Sequence, residues 1–82
     1  MARVTYYVAL PFFPGEDGDP VPGEAKEFQG SEPARRAAQR FAAEAGHGGI
    51  AFARTGDPAT GDFDEAVVIA RYGTVPDELP GG

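Results

Sequence analysis

Ala34, Ala37, Ala38, Phe41, Ala42 and Ala45 recur in the stretch SEPARRAAQRFAAEAG at intervals that return to one side of a helix. No other feature constrains this chain as strongly. A stripe made almost entirely of alanine cannot interdigitate deeply, so the helix must lie close to whatever it covers, with Phe41 as its one large plug. The layer it is expected to cover is a sheet. Ser31 is placed to cap the N-terminus, and Pro33 fits the first turn, where a missing N–H costs nothing. Gly46 fits a left-handed stop.

Strands supply the rest. RVTYYVALPFF, residues 3–13, is rich in β-branched and aromatic residues. Val4, Tyr6, Val8, Leu10 and Phe12 would line one face, and Thr5, Tyr7, Ala9, Pro11 and Phe13 the other. Pro11 lacks an N–H, so pairing should weaken there. PGEDGDPVPG, residues 14–23, is a loop by its density of Pro, Gly and Asp. EAKEFQ, residues 24–29, reads as a short polar strand at a sheet edge. GIAFAR, residues 49–54, and AVVIARYG, residues 66–73, read as strands joined by the turn-rich TGDPATGDFDE. The last strand and the first are apolar on both faces, which places both centrally.

The order is β-β-α-β-β. The expected fold class is α+β, in two layers, with one helix on one face of a four-stranded mixed sheet. Two hairpins flanking a helix is the β-grasp plan, in which the first and last strands lie side by side. A plain β-α-β-β layer, with residues 24–29 irregular, is the other arrangement the pattern admits. The chain of 82 residues is read as a single domain over 1–75 and a flexible C-terminal tail over 76–82.

One helix of about four turns cannot cover both faces of four strands. The uncovered face is expected to carry Tyr7, Ala9 and Phe13, with Val67 and Ile69. Such an apolar patch marks a contact, and the expected contact is a homodimer packed sheet to sheet. The other possibility is that loop 14–23 folds over that face. A chain this short has little interior and, with no cysteine, no disulfide or thiolate metal site to staple it, so self-association is a natural way to bury more.

The net charge of −6 argues against nucleic acid or anionic membrane as the main partner. No apolar run is long enough to span a bilayer and no signal-peptide pattern is read, so the expected location is cytoplasmic.

The residues that carry chemistry are sparse. His47 is the only histidine; it could serve as a base or ligand. Ser31, the only serine, sits roughly 20 Å away at the other helix end. Asp57, Asp62, Asp64 and Glu65 crowd one loop, and Glu16, Asp17 and Asp19 another, but neither has the spacing of an EF-hand. They read as solvated turns, and no metal or cofactor is expected. Arg35, Arg36 and Arg40 share the outer side of the helix. They could receive a partner's carboxylate or phosphate, or simply face solvent.

The chain closes on Gly81 and Gly82. That terminus resembles the tail of ubiquitin-like sulfur carriers, small β-grasp proteins whose terminal carboxylate is activated and converted to a thiocarboxylate. The resemblance implies a carrier activated at Gly82, with glycines where any Cβ would clash in a narrow channel. The residues themselves lead first to a different function: a small non-enzymatic interaction or accessory protein that self-associates. Tyr7, Phe13 and the helix arginines are its expected contacts.

Overall fold

The structure, a computed structural model, describes residues 3–76. The segments, in chain order, are β1 (Val4–Pro14), β2 (Pro20–Pro22), β3 (Lys26–Phe28), α1 (Ser31–Phe41), β4 (Gly48–Asp57), β5 (Asp62–Phe63) and β6 (Val67–Gly73). The α+β class stands, and so does the single helix among the described residues. The mixed, four-stranded sheet does not: the sheet has six strand segments, and every pairing among the described residues is antiparallel.

β1 and β4 form the centre, in register from Val4↔Gly56 to Phe12↔Gly48. β2 and β3 both pair the outer side of β1, and β5 and β6 both pair the outer side of β4. The first and last strands are therefore not neighbours, and the β-grasp arrangement is not the one found. Length decides this. β4 runs for ten residues, well past Arg54, and so matches the eleven of β1. β6 is apolar because it has packing on both faces: Ile69 and Tyr72 pack under the helix, and Val68 on the opposite side.

Pro11 acts on one side only. Its carbonyl accepts from Gly23 N–H at 2.8 Å, so its nitrogen also points toward the β2–β3 edge, where the missing N–H leaves that edge interrupted over residues 23–25. Pairing to β4 continues through Pro11↔Gly49. Loop 14–23 does not fold over a sheet face. It extends the β1–β2 hairpin through Phe13↔Val21 and Pro14↔Pro20, closed by Gly15 N–H donating to Asp19 O at 3.0 Å. Gly18 sits in the turn at φ +90°.

α1 is shorter than the alanine pattern suggests. Ser31 is its first helical residue rather than its cap; Gly30, extended, holds the cap position without a side-chain bond. The helix ends at Phe41, and Ala42 N–H and Ala43 N–H bond Gln39 O and Arg40 O at 3.1 Å each. Residues 43–46 are exposed turns, with Gly46 at φ +82°. Nothing buries Ala43 or Ala45, so packing does not extend the helix there. The uncapped start makes a test. The nearest atom to a Cβ on Gly30 would be Pro33 Cδ at 4.0 Å. Gly30→Asp should therefore be tolerated and raise stability by about 0.3 kcal/mol, read from the denaturation midpoint.

Two apolar clusters flank the sheet. Ala34, Ala37 and Ala38 of the helix pack on Ala9 and Ala51, with Tyr7, Phe28, Phe41, Ile69 and Tyr72 around them. Tyr7, Ala9 and Ile69 thus lie under the helix, not on the uncovered face where the sequence reading put them. The alternation along β1 is as expected, but the sides are exchanged. Small residues explain it: Ala9 pairs with Ala51, and Pro11 with Gly49. A Cβ on Gly49 would fall inside the carbonyl of Ala38. An alanine helix fits that shallow side and could not approach the side bearing Leu10, Phe12 and Ile50.

Those three form the second cluster, with Phe52, Val68 and Val75 against it. Phe12 and Ile50 are fully buried. One end of this face is closed by the chain itself. Gly73, at φ +69°, turns the backbone, and Thr74 N–H donates to His47 O at 3.1 Å. A Cβ on Gly48 would run into Thr74 O, and Val75 packs on the cluster.

Candidate functional site

Away from Val75, the face opposite the helix carries Tyr6, Val8, Phe52, Phe63 and Val68, all half-buried, and the exposed Arg54. Strand register assembles it. Tyr6 lies opposite Arg54, Val8 opposite Phe52, Phe52 opposite Val68, and Gly56 opposite Phe63. Gly56 is needed for space: a Cβ there would meet the Phe63 ring. The ring instead lies 5.9 Å from that of Tyr6, tilted by 47°, and the Arg54 guanidinium sits 5.7 Å from its centroid. Arg54 Nε also donates to Asp64 O at 3.2 Å, and Asp64 N–H donates to Thr55 O at 2.8 Å. Arg3 reaches the Asp64 carboxylate at 2.6 Å. Both of those side chains are more than half exposed, so the pair orients Asp64 more than it stabilises the fold.

The expected contact residues fall in separate places. Tyr7 is half-buried beneath α1. Phe13 is 44% exposed at the β1–β2 hairpin, with its ring edge-on to His47 at 5.4 Å. Arg35, Arg36 and Arg40 are exposed on the helix; Arg35 pairs with Glu32 at 3.3 Å. Gly81 and Gly82 lie outside the described residues.

His47 packs beside Phe13, and its Nε2 lies 3.4 Å from Glu44 Oε2. Ser31 begins the helix beyond whose other end His47 stands, so the two do not meet. Asp57 and Asp17 are used by their own turns: Asp57 Oδ1 accepts from Ala59 N–H at 2.9 Å and Asp17 Oδ1 from Asp19 N–H at 3.2 Å. Among the described residues no three His, Asp or Glu side chains converge on a common point. No helix among them is long and apolar enough to cross a membrane.

The association of Arg3, Tyr6, Arg54, Phe63 and Asp64 is invisible to local pattern. Its one trace in the sequence is Thr55-Gly56-Asp57, where a glycine interrupts an otherwise filled strand, the mark of a close approach. Comparison with protein-family models, curated proteins and solved structures found no match.

Proposed function

We propose that this chain is a small, non-catalytic, cytoplasmic interaction module that self-associates through the sheet face opposite its helix. The observation that carries the reading is the composition of that face. Tyr6, Phe52, Phe63 and Arg54 are of the residue types that anchor protein interfaces. Phe52 also packs against the buried Leu10, Phe12 and Ile50, while Tyr6, Arg54 and Phe63 lie toward the other end of the face. Face-to-face packing would also enlarge the small interior of an 82-residue chain.

Light scattering after size exclusion, over a wide concentration range, tests this. Val8 sits in the central strand and half-buried on this face, so Val8→Lys places an ammonium in the contact. The variant is expected to halve the mass of the wild-type assembly while keeping its circular dichroism spectrum. An unchanged mass in a folded variant rejects the face contact. A wild-type chain that stays monomeric throughout rejects self-association altogether.

A further inference from the structure

Arg36 and Arg40 stand one turn apart on α1, both exposed. The opposite flank of the helix shows which way they point. A Cβ on Gly73 of β6 would lie 2.9 Å from the Ala42 side chain. Ala42 follows Arg35 by almost two turns, so the flank they share looks toward β6. Arg40 precedes Ala42 by two residues and lies across the helix axis from it. Arg36 and Arg40 therefore look toward the other margin of the sheet, where β3 runs against the helix. Register brings a third cation to that margin. Tyr7 and Phe28 are paired, and both pack under α1. Lys26 comes two residues before Phe28 and opposite Ala9, so its side chain leaves β3 on the helix side, where it is exposed.

These three of the chain's seven basic residues are not engaged within the fold. Arg3 and Arg35 are held in ion pairs, and Arg54 bonds the carbonyl of Asp64. Among the described residues, Lys26, Arg36 and Arg40 have neither an ion pair nor a side-chain hydrogen bond. The acids close to them in the chain are mostly turned elsewhere. Glu32 pairs with Arg35, Glu44 lies against His47, and Glu27, opposite Val8, leaves β3 on the far face. Glu24, exposed ahead of β3, leaves the cluster with an excess of positive charge.

We infer that Lys26, Arg36 and Arg40 form a docking surface for an acidic peptide segment of a partner protein. Charge complementarity selects that occupant. On a chain of net charge −6, an acidic segment is repelled over most of the surface and attracted at this margin. The cations come from two elements and are not gathered around one point: Arg36 and Arg40 follow the helix, and Lys26 stands beside them on the strand. A run of carboxylates matches such an arrangement better than a single small anion does. No aromatic side chain stands between the arginines for a base to stack on, and three cations give little purchase on a nucleic-acid backbone. The surface lies on the helix side of the sheet, so it does not depend on the face contact proposed above and would remain open in that assembly.

Fluorescence anisotropy of a fluorescein-labelled Glu-Ser repeat peptide, titrated with the full chain at low ionic strength, tests this. Saturable binding that weakens with added salt is expected, with none to the matching Gln-Ser peptide. Joint Arg36→Glu and Arg40→Glu should weaken binding at least tenfold, and Lys26→Glu alone about threefold, the scale of one exposed ion pair. Arg35→Glu makes the same charge change on the other flank of the helix and should alter affinity less than about twofold. All four positions are exposed, and circular dichroism checks that each variant is folded. The neutral pair Arg36→Gln and Arg40→Gln repeats the reading with a gentler change. No binding to the Glu peptide overturns the inference, as does equal binding to the Gln peptide. An equal loss from Arg35→Glu would show an effect of net charge rather than a site. Single-stranded DNA binding as tightly as the peptide, or complete displacement of the peptide by inorganic phosphate, would replace the acidic peptide with a general anion.

Discussion

Gly49→Ala is expected to destabilise the domain by about 3 kcal/mol, the upper range for forcing atoms into a packed interior. Gly49 is not among the positive-φ glycines, so no conformational preference is at stake. What matters is contact: the added Cβ would sit on the carbonyl of Ala38, with its Cα 2.9 Å away. The backbone of a packed helical turn cannot swing aside as a side chain can, so the helix must lift from β4 and loosen Ala34, Ala37 and Ala38 together. In a domain of this size that corresponds to a fall in Tm of well over 10 °C. Gly61→Ala is the control. Gly61 has φ +78° and open space around it, so the substitution carries only a backbone cost of about 1 kcal/mol. A Gly49→Ala midpoint no lower than that of the control would mean that α1 is not seated on Gly49.

Phe12→Ala and Phe13→Ala should differ sharply although the residues are adjacent. Phe12 is fully buried in the cluster with Leu10 and Ile50, and truncating it should cost about 3–5 kcal/mol, by lost burial and by the cavity left behind. Phe13, 44% exposed against His47, should cost less than about 1 kcal/mol. Denaturant titration of both variants measures the difference directly. Equal losses would contradict the side assignment of β1 and, with it, the identity of the face opposite the helix.

That assignment is where the sequence was legible and where it stopped. The alternation along β1 separates Tyr6, Val8, Leu10 and Phe12 from Tyr7, Ala9, Pro11 and Phe13, and the structure keeps that separation. The alanine spacing announces a helix that must sit close to its sheet, and Gly49 beneath Ala38 shows how close. Yet Tyr7 and Ala9 were expected on the uncovered side. Two apolar faces look alike in a single strand. They are told apart only by the small residues of β4 that complete one of them, Ala51 and Gly49, some forty residues away.

The candidate face follows the same logic. Tyr6, Arg54 and Phe63 belong to three strands, and nothing in the local surroundings of any one of them points to the other two. Gly56 permits their meeting, but only the register of β1 on β4 and of β4 on β5 brings the ring and the guanidinium together. Likewise β6 was read as central because it is apolar on both faces. Burial of both faces is a property of layers above and below a strand, whereas edge or centre is a property of its hydrogen-bonding sides, to which side-chain pattern is blind.

By itself, then, the sequence determined what each segment is: an alanine-striped helix, alternating strands, and turns placed by Pro, Gly and Asp. The tertiary structure alone decided which face the helix covers, that β4 rather than the last strand lies beside β1, and which side chains share the open face. The physical reason is range. Periodicity and turn chemistry act over a few residues and set how each segment is built, while neighbours in a sheet are chosen by matched length and complementary side-chain size between segments that the chain itself keeps far apart.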